Sequence, residues 1–251
     1  MREAGGGVNP EDNKLRPEDR AVHDWYRFVL CFPPHLIRKY TEQFALSSAA
    51  TVLDPFCGTG TTLVECKKLG IASIGIERNP MACFASQVKV NWQSDPDALM
   101  SHAMEVGADA AAQLEAAGLA EDSSLPLFSR LRPADLKLRQ LSADSHRLLL
   151  RDSISPIPLH KTLVLIESLK RHRDPRFNDH EILALAKAIV TEISNLRFGP
   201  EVGVGPPKTD AAVVSAWLNC VRMMAAIFGA LRIFRTFTRP FTLRKPVSPE
   251  Q

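Results

Sequence analysis

The chain has no run of about 18 apolar residues, so no stretch of it is long enough to span a membrane as a helix. It has no apolar core near its first residue of the kind a secretory leader needs, and no leader peptide is expected. Cysteine is sparse. The five residues at 31, 57, 66, 83 and 220 are odd in number and lack metal-ligand spacing, which argues against both a disulfide framework and a metal site. A reduced, cytoplasmic compartment is the simpler expectation. Formal net charge is only +3, too little to mark a nucleic-acid binder by itself. No repeat of fixed period occurs. The 251 residues are 45% hydrophobic, enough for a globular core in one or two domains.

Against these absences one string stands out, Asp54-Pro55-Phe56-Cys57-Gly58-Thr59-Gly60-Thr61-Thr62. It follows the apolar run Thr51-Val52-Leu53 and precedes Leu63 to Leu69, which has the pattern of a helix start. Strand, glycine turn and helix in that order form a nucleotide-type cofactor site, because backbone comes close to a ligand only where side chains are missing. A second apolar stretch, Ala72 to Ile76, ends in Glu77, a carboxylate placed to accept from ribose hydroxyls. Three cofactor types compete for such a turn. A phosphate-cradling loop needs Lys after its last glycine, where this chain has Thr61. A dinucleotide fingerprint needs a third glycine, where this chain has Leu63. Cys57 within the turn is better read as a small filler than as a nucleophile.

The full string resembles motif I of the S-adenosylmethionine-dependent methyltransferases that modify exocyclic amines of DNA bases, on N6 of adenine or N4 of cytosine. That resemblance implies a Rossmann-like methyltransferase sheet and S-adenosyl-L-methionine as cofactor. It places Asp54, Phe56, Gly58 and Gly60 on the methionine side and Glu77 on the ribose, with Pro55, Cys57 and Thr61 of the same turn also counted as cofactor-binding. The preceding segment, His23 to Phe28 and then Cys31-Phe32-Pro33-Pro34-His35, is similar to motif X of the same family, with Phe32 and Pro33 as pocket-wall contacts. A proline-started helix that merely packs Leu36, Ile37 and Tyr40 on a sheet accounts for the same apolar positions.

Beyond residue 92 the pattern turns helical. Asp95-Pro96 starts a helix that Gly118 ends, with Leu99, Ala103, Val106, Ala110 and Leu114 on one face. Residues 119–135 read as loop, Ala143 to Leu150 as a short helix, and Pro158 as the start of another. Asn178-Asp179-His180-Glu181 has the form of a capping box. A last helix runs from about Asp210. Between these, residues 195–208 hold three Gly and three Pro and read as a long exposed connection, either a linker or a DNA-facing gate using Arg197 and Lys208. From Ala230 to Pro249 there are four Arg, one Lys and no acid, with Phe234, Phe237 and Phe241 interleaved, a nucleic-acid-like composition.

The family's catalytic signature is Asp, Asn or Ser followed by Pro-Pro and an aromatic. The polar group and a proline carbonyl accept from the target amine, and the aromatic stacks on the flipped base. Neither Pro-Pro of this chain qualifies: Phe32-Pro33-Pro34-His35 lacks the polar leader, and Gly205-Pro206-Pro207-Lys208 lacks both. The expected protein is therefore α/β, a partial Rossmann-like methyltransferase sheet with a large, mostly helical C-terminal region. Residues 1–20 are expected to be a flexible tail, 21–94 the cofactor-binding part, 95–232 a helical insertion with a target-recognition role, and 233–251 a basic irregular tail. Its expected function is that of a DNA methyltransferase of a restriction-modification type, truncated or split near residue 232, with DNA as partner and catalytic residues unknown. Two alternatives stay open: a non-catalytic cofactor-binding subunit needing a second polypeptide, and an RNA guanine-amino methyltransferase.

Overall fold

The computed structural model describes residues 14–27, 31–121, 137–198, 201–231 and 241–244. The chain divides into two compact units, residues 1–92 with 231–251, and residues 93–230. Together they form a small Rossmann-like sheet near the N-terminus and a large, mostly helical C-terminal region.

In the first unit, α1 (Arg20–His23) and α2 (Pro34–Gln43) precede β1 (Thr51–Asp54), α3 (Thr61–Lys68), β2 (Ala72–Ile76) and α4 (Pro80–Lys89). The strands lie parallel, Thr51 against Ala72 through Asp54 against Gly75, as a strand–helix–strand crossover requires. Leu63, Val64 and Cys66 of α3 are fully buried and form the unit's apolar centre with Ala82, Ala85 and Val88 of α4. Pro34 and Pro80 sit in the first turns of their helices, where a missing N–H costs nothing. Asn79 caps α4, accepting from Met81 N and Ala82 N.

Within the segment expected to be an irregular basic tail, β5 (Phe241–Arg244) is a strand that pairs parallel with β2, giving the order β1-β2-β5. The arginine-rich composition hid this strand, because alternation over four residues is too short to register against so many cations.

A buried charge cluster fastens the N-terminal segment to α3. Glu65 is fully buried and meets His23 Nε2 at 2.8 Å, Arg38 at 2.6 Å and Lys68 Nζ at 2.6 Å. Arg38 also reaches Asp19 at 2.6 Å, so one guanidinium ties the residues before α1 to α2 and α3. Breaking such a buried pair costs about 3–5 kcal/mol, because the partner charge is left unpaired. Burial pulls His23 down to about 4, against its hydrogen bond to Glu65. Burial works against the Glu65 charge too, but the His23 and Lys68 contacts outweigh it and hold the carboxyl at about 2.

The second unit packs α5 (Pro96–Ala116), α7 (Pro156–Arg171), α8 (Asn178–Ala188) and α9 (Val213–Leu231), with the short α6 (Ala143–Arg147) between α5 and α7. A Cβ on Gly107 would stand 3.2 Å from Val214 and 3.3 Å from Leu218, so this glycine lets α9 close against α5. Four expectations for this unit are corrected or lie outside the described residues. Helix α7 starts at Pro156, two residues before Pro158, with Ser155 as its N-cap. The capping box at 178–181 does not form. Glu181 is drawn away to His102 Nδ1 at 2.7 Å, and Phe177 takes the cap position without a side-chain bond. Residues 195–208 are not a featureless connection, since β3 (Leu196–Phe198) and β4 (Val202–Val204) make an antiparallel hairpin. The loop expected at 119–135 falls mostly on residues 122–136, which lie outside the described residues.

His102 also sets its Nε2 2.8 Å from His172 O, so both ring nitrogens face acceptors. Burial works against the imidazolium, yet those two bonds raise its pKa. The first unit carries the opposite sign. His23 is depressed, so its folded form favours the neutral ring. Its contribution is full above pH 6.5 and is lost as pH falls through about 4. Glu65 adds stability present above pH 4.5 and lost as pH falls toward about 2. Urea unfolding followed by the buried Trp25 and Trp92 should show a midpoint that falls continuously from pH 6.5 downward, and His23→Gln should flatten the upper part of that fall. A midpoint unchanged between pH 6.5 and 4 in the wild type would contradict the charge-cluster account.

Candidate functional site

The site lies where β1 and β2 end. Their parallel register places Asp54 beside Gly75, so Glu77, just past β2, comes to the same end of the sheet as the turn that follows Asp54. Ligands of open α/β sheets bind at this carboxyl end.

The turn is held from both strands. Asp54 Oδ1 accepts from Phe56 N at 3.1 Å, and Asp54 Oδ2 accepts from Thr62 Oγ1 at 2.6 Å. Cys57 N donates to Ile76 O at 3.1 Å, and Gly58 N to Glu77 Oε2 at 2.9 Å. Gly60 N closes the turn onto Cys57 O at 2.8 Å. The amides of Phe56, Cys57, Gly58 and Gly60 are thus spent inside the protein. A phosphate cradle needs such amides aimed outward at the ligand, so the geometry argues against a phosphate-binding loop, in agreement with Thr61 standing where that loop needs Lys.

The two glycines serve different ends. Gly58 has φ +53°, and a Cβ there would meet nothing within 4 Å, so its open side is free for a ligand. Gly60 has φ +83°, and its Cβ would fall 2.7 Å from Ser86 Cβ of α4, which makes glycine obligatory for packing. Around them Phe56 is 87% exposed, Phe32 is 42% exposed and Pro55 is exposed, while Asp54 and Glu77 are half-buried. Pro33, Cys57 and Thr61 are buried, so they shape the turn from inside. Burial first, then the Asp54 and Glu77 carboxylates, push the Cys57 thiol up to about 12. It stays protonated and is a packing residue.

Sequence reasoning missed three supports. Thr62 clamps Asp54, and its place inside the motif string was the available signal. Ser86 fixes Gly60, for which a helix-face residue gives no local signal. Thr59, 1% exposed, meets Cys31 Sγ at 3.4 Å and so links the turn to the segment before α2. Among the described residues no cluster of His, Cys, Asp and Glu could hold a metal. No described helix is long and apolar enough to cross a membrane.

The turn is braced by carboxylates, its amides at 56, 57, 58 and 60 are satisfied within the protein, and one glycine is open, an arrangement without a phosphate cradle. Residues 10–87 match the family model for DNA methylase, and over that stretch the chain is assigned to the N6-adenine/N4-cytosine DNA methyltransferases. The Type II methyltransferase M.BsoBI of Geobacillus stearothermophilus is 40% identical over 72 residues, 29% of this chain and 14% of the relative. M.MjaII of Methanocaldococcus jannaschii is 36% identical over 69 residues, 28% of this chain and 13% of the relative. M.AvaI of Nostoc sp. is 32% identical over 74 residues, 30% of this chain and 14% of the relative. The chain thus spans about one seventh of the length of the curated relatives it matches. No solved structure matches it. The matched stretch resembles a family of DNA-methylating, S-adenosylmethionine-dependent enzymes.

The two glycines give a direct check. Gly58→Ala should cost only the left-handed backbone, about 1–2 kcal/mol. Gly60→Ala adds a collision with α4 and should cost about 2–5 kcal/mol. Denaturant unfolding that found equal costs would show that Ser86 does not set the constraint at Gly60.

Proposed function

We propose that residues 21–94 form the S-adenosyl-L-methionine-binding part of a DNA methyltransferase acting on the exocyclic amine of adenine or cytosine. The observation that carries this is the satisfied, carboxylate-braced turn with open space over Gly58. Glu77 keeps lone pairs beyond its two backbone bonds and would accept from the ribose hydroxyls. Gly58 and the exposed faces of Asp54, Pro55 and Phe56 would line the methionine side, with Cys57, Gly60 and Thr61 supporting them from within. Phe32, over Pro33, would form the pocket wall. When bound, the cofactor supplies an activated methyl group. DNA is the proposed partner, and the basic aromatic stretch 231–249 supports it by composition. A base in a duplex must leave the stack for its amine to be reached.

The amine-accepting motif is not recognisable in the sequence, so the catalytic residues remain outside this assignment. One observation favours completion by a second polypeptide. Among the described residues the outer edge of β1 carries no partner strand. An open strand edge is a place for strand addition. A second polypeptide would then bring the amine-binding groups to the end of β1. The RNA guanine-amino alternative is weaker, because the matched family is one of DNA methylases.

Titration calorimetry with S-adenosyl-L-methionine tests the cofactor. The wild type should bind, and Gly58→Leu should weaken binding by more than about tenfold, or about 1.4 kcal/mol, because its side chain fills the open space. Equal affinities for wild type and Gly58→Leu would mean that the pocket lies elsewhere.

A further inference from the structure

Glu77 stands one residue past β2 and bonds to two backbone amides at once. Oε2 accepts from Gly58 N at 2.9 Å, and Oε1 accepts from Asn79 N at 2.6 Å. Gly58 is the least restrained point of the turn. It has no side chain, a left-handed φ of +53°, and no atom within 4 Å of where a Cβ would stand. The two residues before it are fixed by other means. Phe56 N is held by Asp54 Oδ1 and Cys57 N by Ile76 O. The Gly58 amide alone depends on a side chain from the far strand.

We propose that Glu77 is a positioning residue for the glycine turn. It sets Gly58 in its left-handed conformation before any ligand arrives, and so couples the ribose side of the pocket to the methionine side through one carboxylate. This rests on the cofactor assignment above. A carboxylate offers about four lone-pair sites, so two backbone bonds leave acceptor capacity for hydroxyls. A ribose hydroxyl would then add to the brace without replacing it. Without the carboxylate, glycine's wide conformational freedom returns, and the cost of ordering the turn moves into the binding step. Charge-assisted bonds of this kind are the stronger class, so the effect should be measurable.

The test begins with the cofactor-free protein. Amide hydrogen exchange at Gly58 is compared among the wild type, Glu77→Ala and Glu77→Asp, the last keeping the charge but falling one methylene short of the turn. Gly58 should exchange at least about tenfold faster in both variants, the loss expected for a hydrogen bond to a charged group. Val64 and Cys66 of α3 should keep their protection, which shows that the fold persists. Unchanged Gly58 exchange in either variant that retains α3 protection would overturn the proposal. The second arm measures affinity for S-adenosyl-L-methionine and for adenosine. A brace predicts that Glu77→Ala weakens the full cofactor by a larger factor than adenosine, because only the full cofactor uses the turn. Equal factors would reduce Glu77 to a ribose contact. If the wild type bound neither ligand, the cofactor assignment would fall, while the exchange result would still decide whether Glu77 holds the turn.

Discussion

Two carboxylates at the ends of neighbouring parallel strands hold the glycine turn, and the rest of the site depends on them. Asp54 ties down the start of the turn and, through Thr62, the first turn of α3. Glu77 ties down its middle. The β1–β2 register brings both to one end of the sheet, so the geometry follows from strand pairing rather than from the turn's own sequence. Backbone amides that loops of this kind often present to phosphate are here used by the protein itself. On the proposed cofactor reading, that leaves shape, an open glycine and carboxylate lone pairs for recognition, which suits a nucleoside with an amino-acid arm better than a phosphate.

A second layer fixes the helix that leaves the turn. Glu65 lies on α3, one turn along from Thr61, and gathers His23, Arg38 and Lys68 around it. The same network holds the segment before α2, and Thr59 reaches Cys31 in that segment from the turn itself. The segment carrying Phe32 and Pro33, the proposed pocket wall, is thereby tied to the turn through Cys31 and Thr59. A carboxylate as fully buried as Glu65 makes departures from one arrangement expensive, because each partner lost leaves its charge unpaired.

The sheet's first two strands, the turn and α3 were legible because apolar runs, two glycines and a terminal acid coincide within 27 residues, Thr51 to Glu77. Helix starts at Pro34 and Pro96 are written in proline and its neighbours, though Pro158 misled by two residues because Pro156 offers the same signal. The capping box at Asn178 failed for a tertiary reason, since His102 lies 79 positions distant in sequence yet claims Glu181. The hairpin at 196–204 was obscured by Gly and Pro that mark a turn as readily as a linker. Strand β5 gave no periodic signal, because its pairing with β2 is set by the sheet and not by its own alternation. Within the proposed site, Glu77 was expected from sequence as a ribose acceptor, while its bond to Gly58 spans 19 positions and could come only from the fold.

The central claim is that the turn between Asp54 and Thr62, with Glu77, is the cofactor pocket. The most direct test is a two-dimensional amide NMR titration of the chain with S-adenosyl-L-methionine. Saturable shifts should concentrate at Phe56, Cys57, Gly58, Gly60, Glu77 and Phe32. Saturable shifts confined to other residues, or none at all, would contradict it.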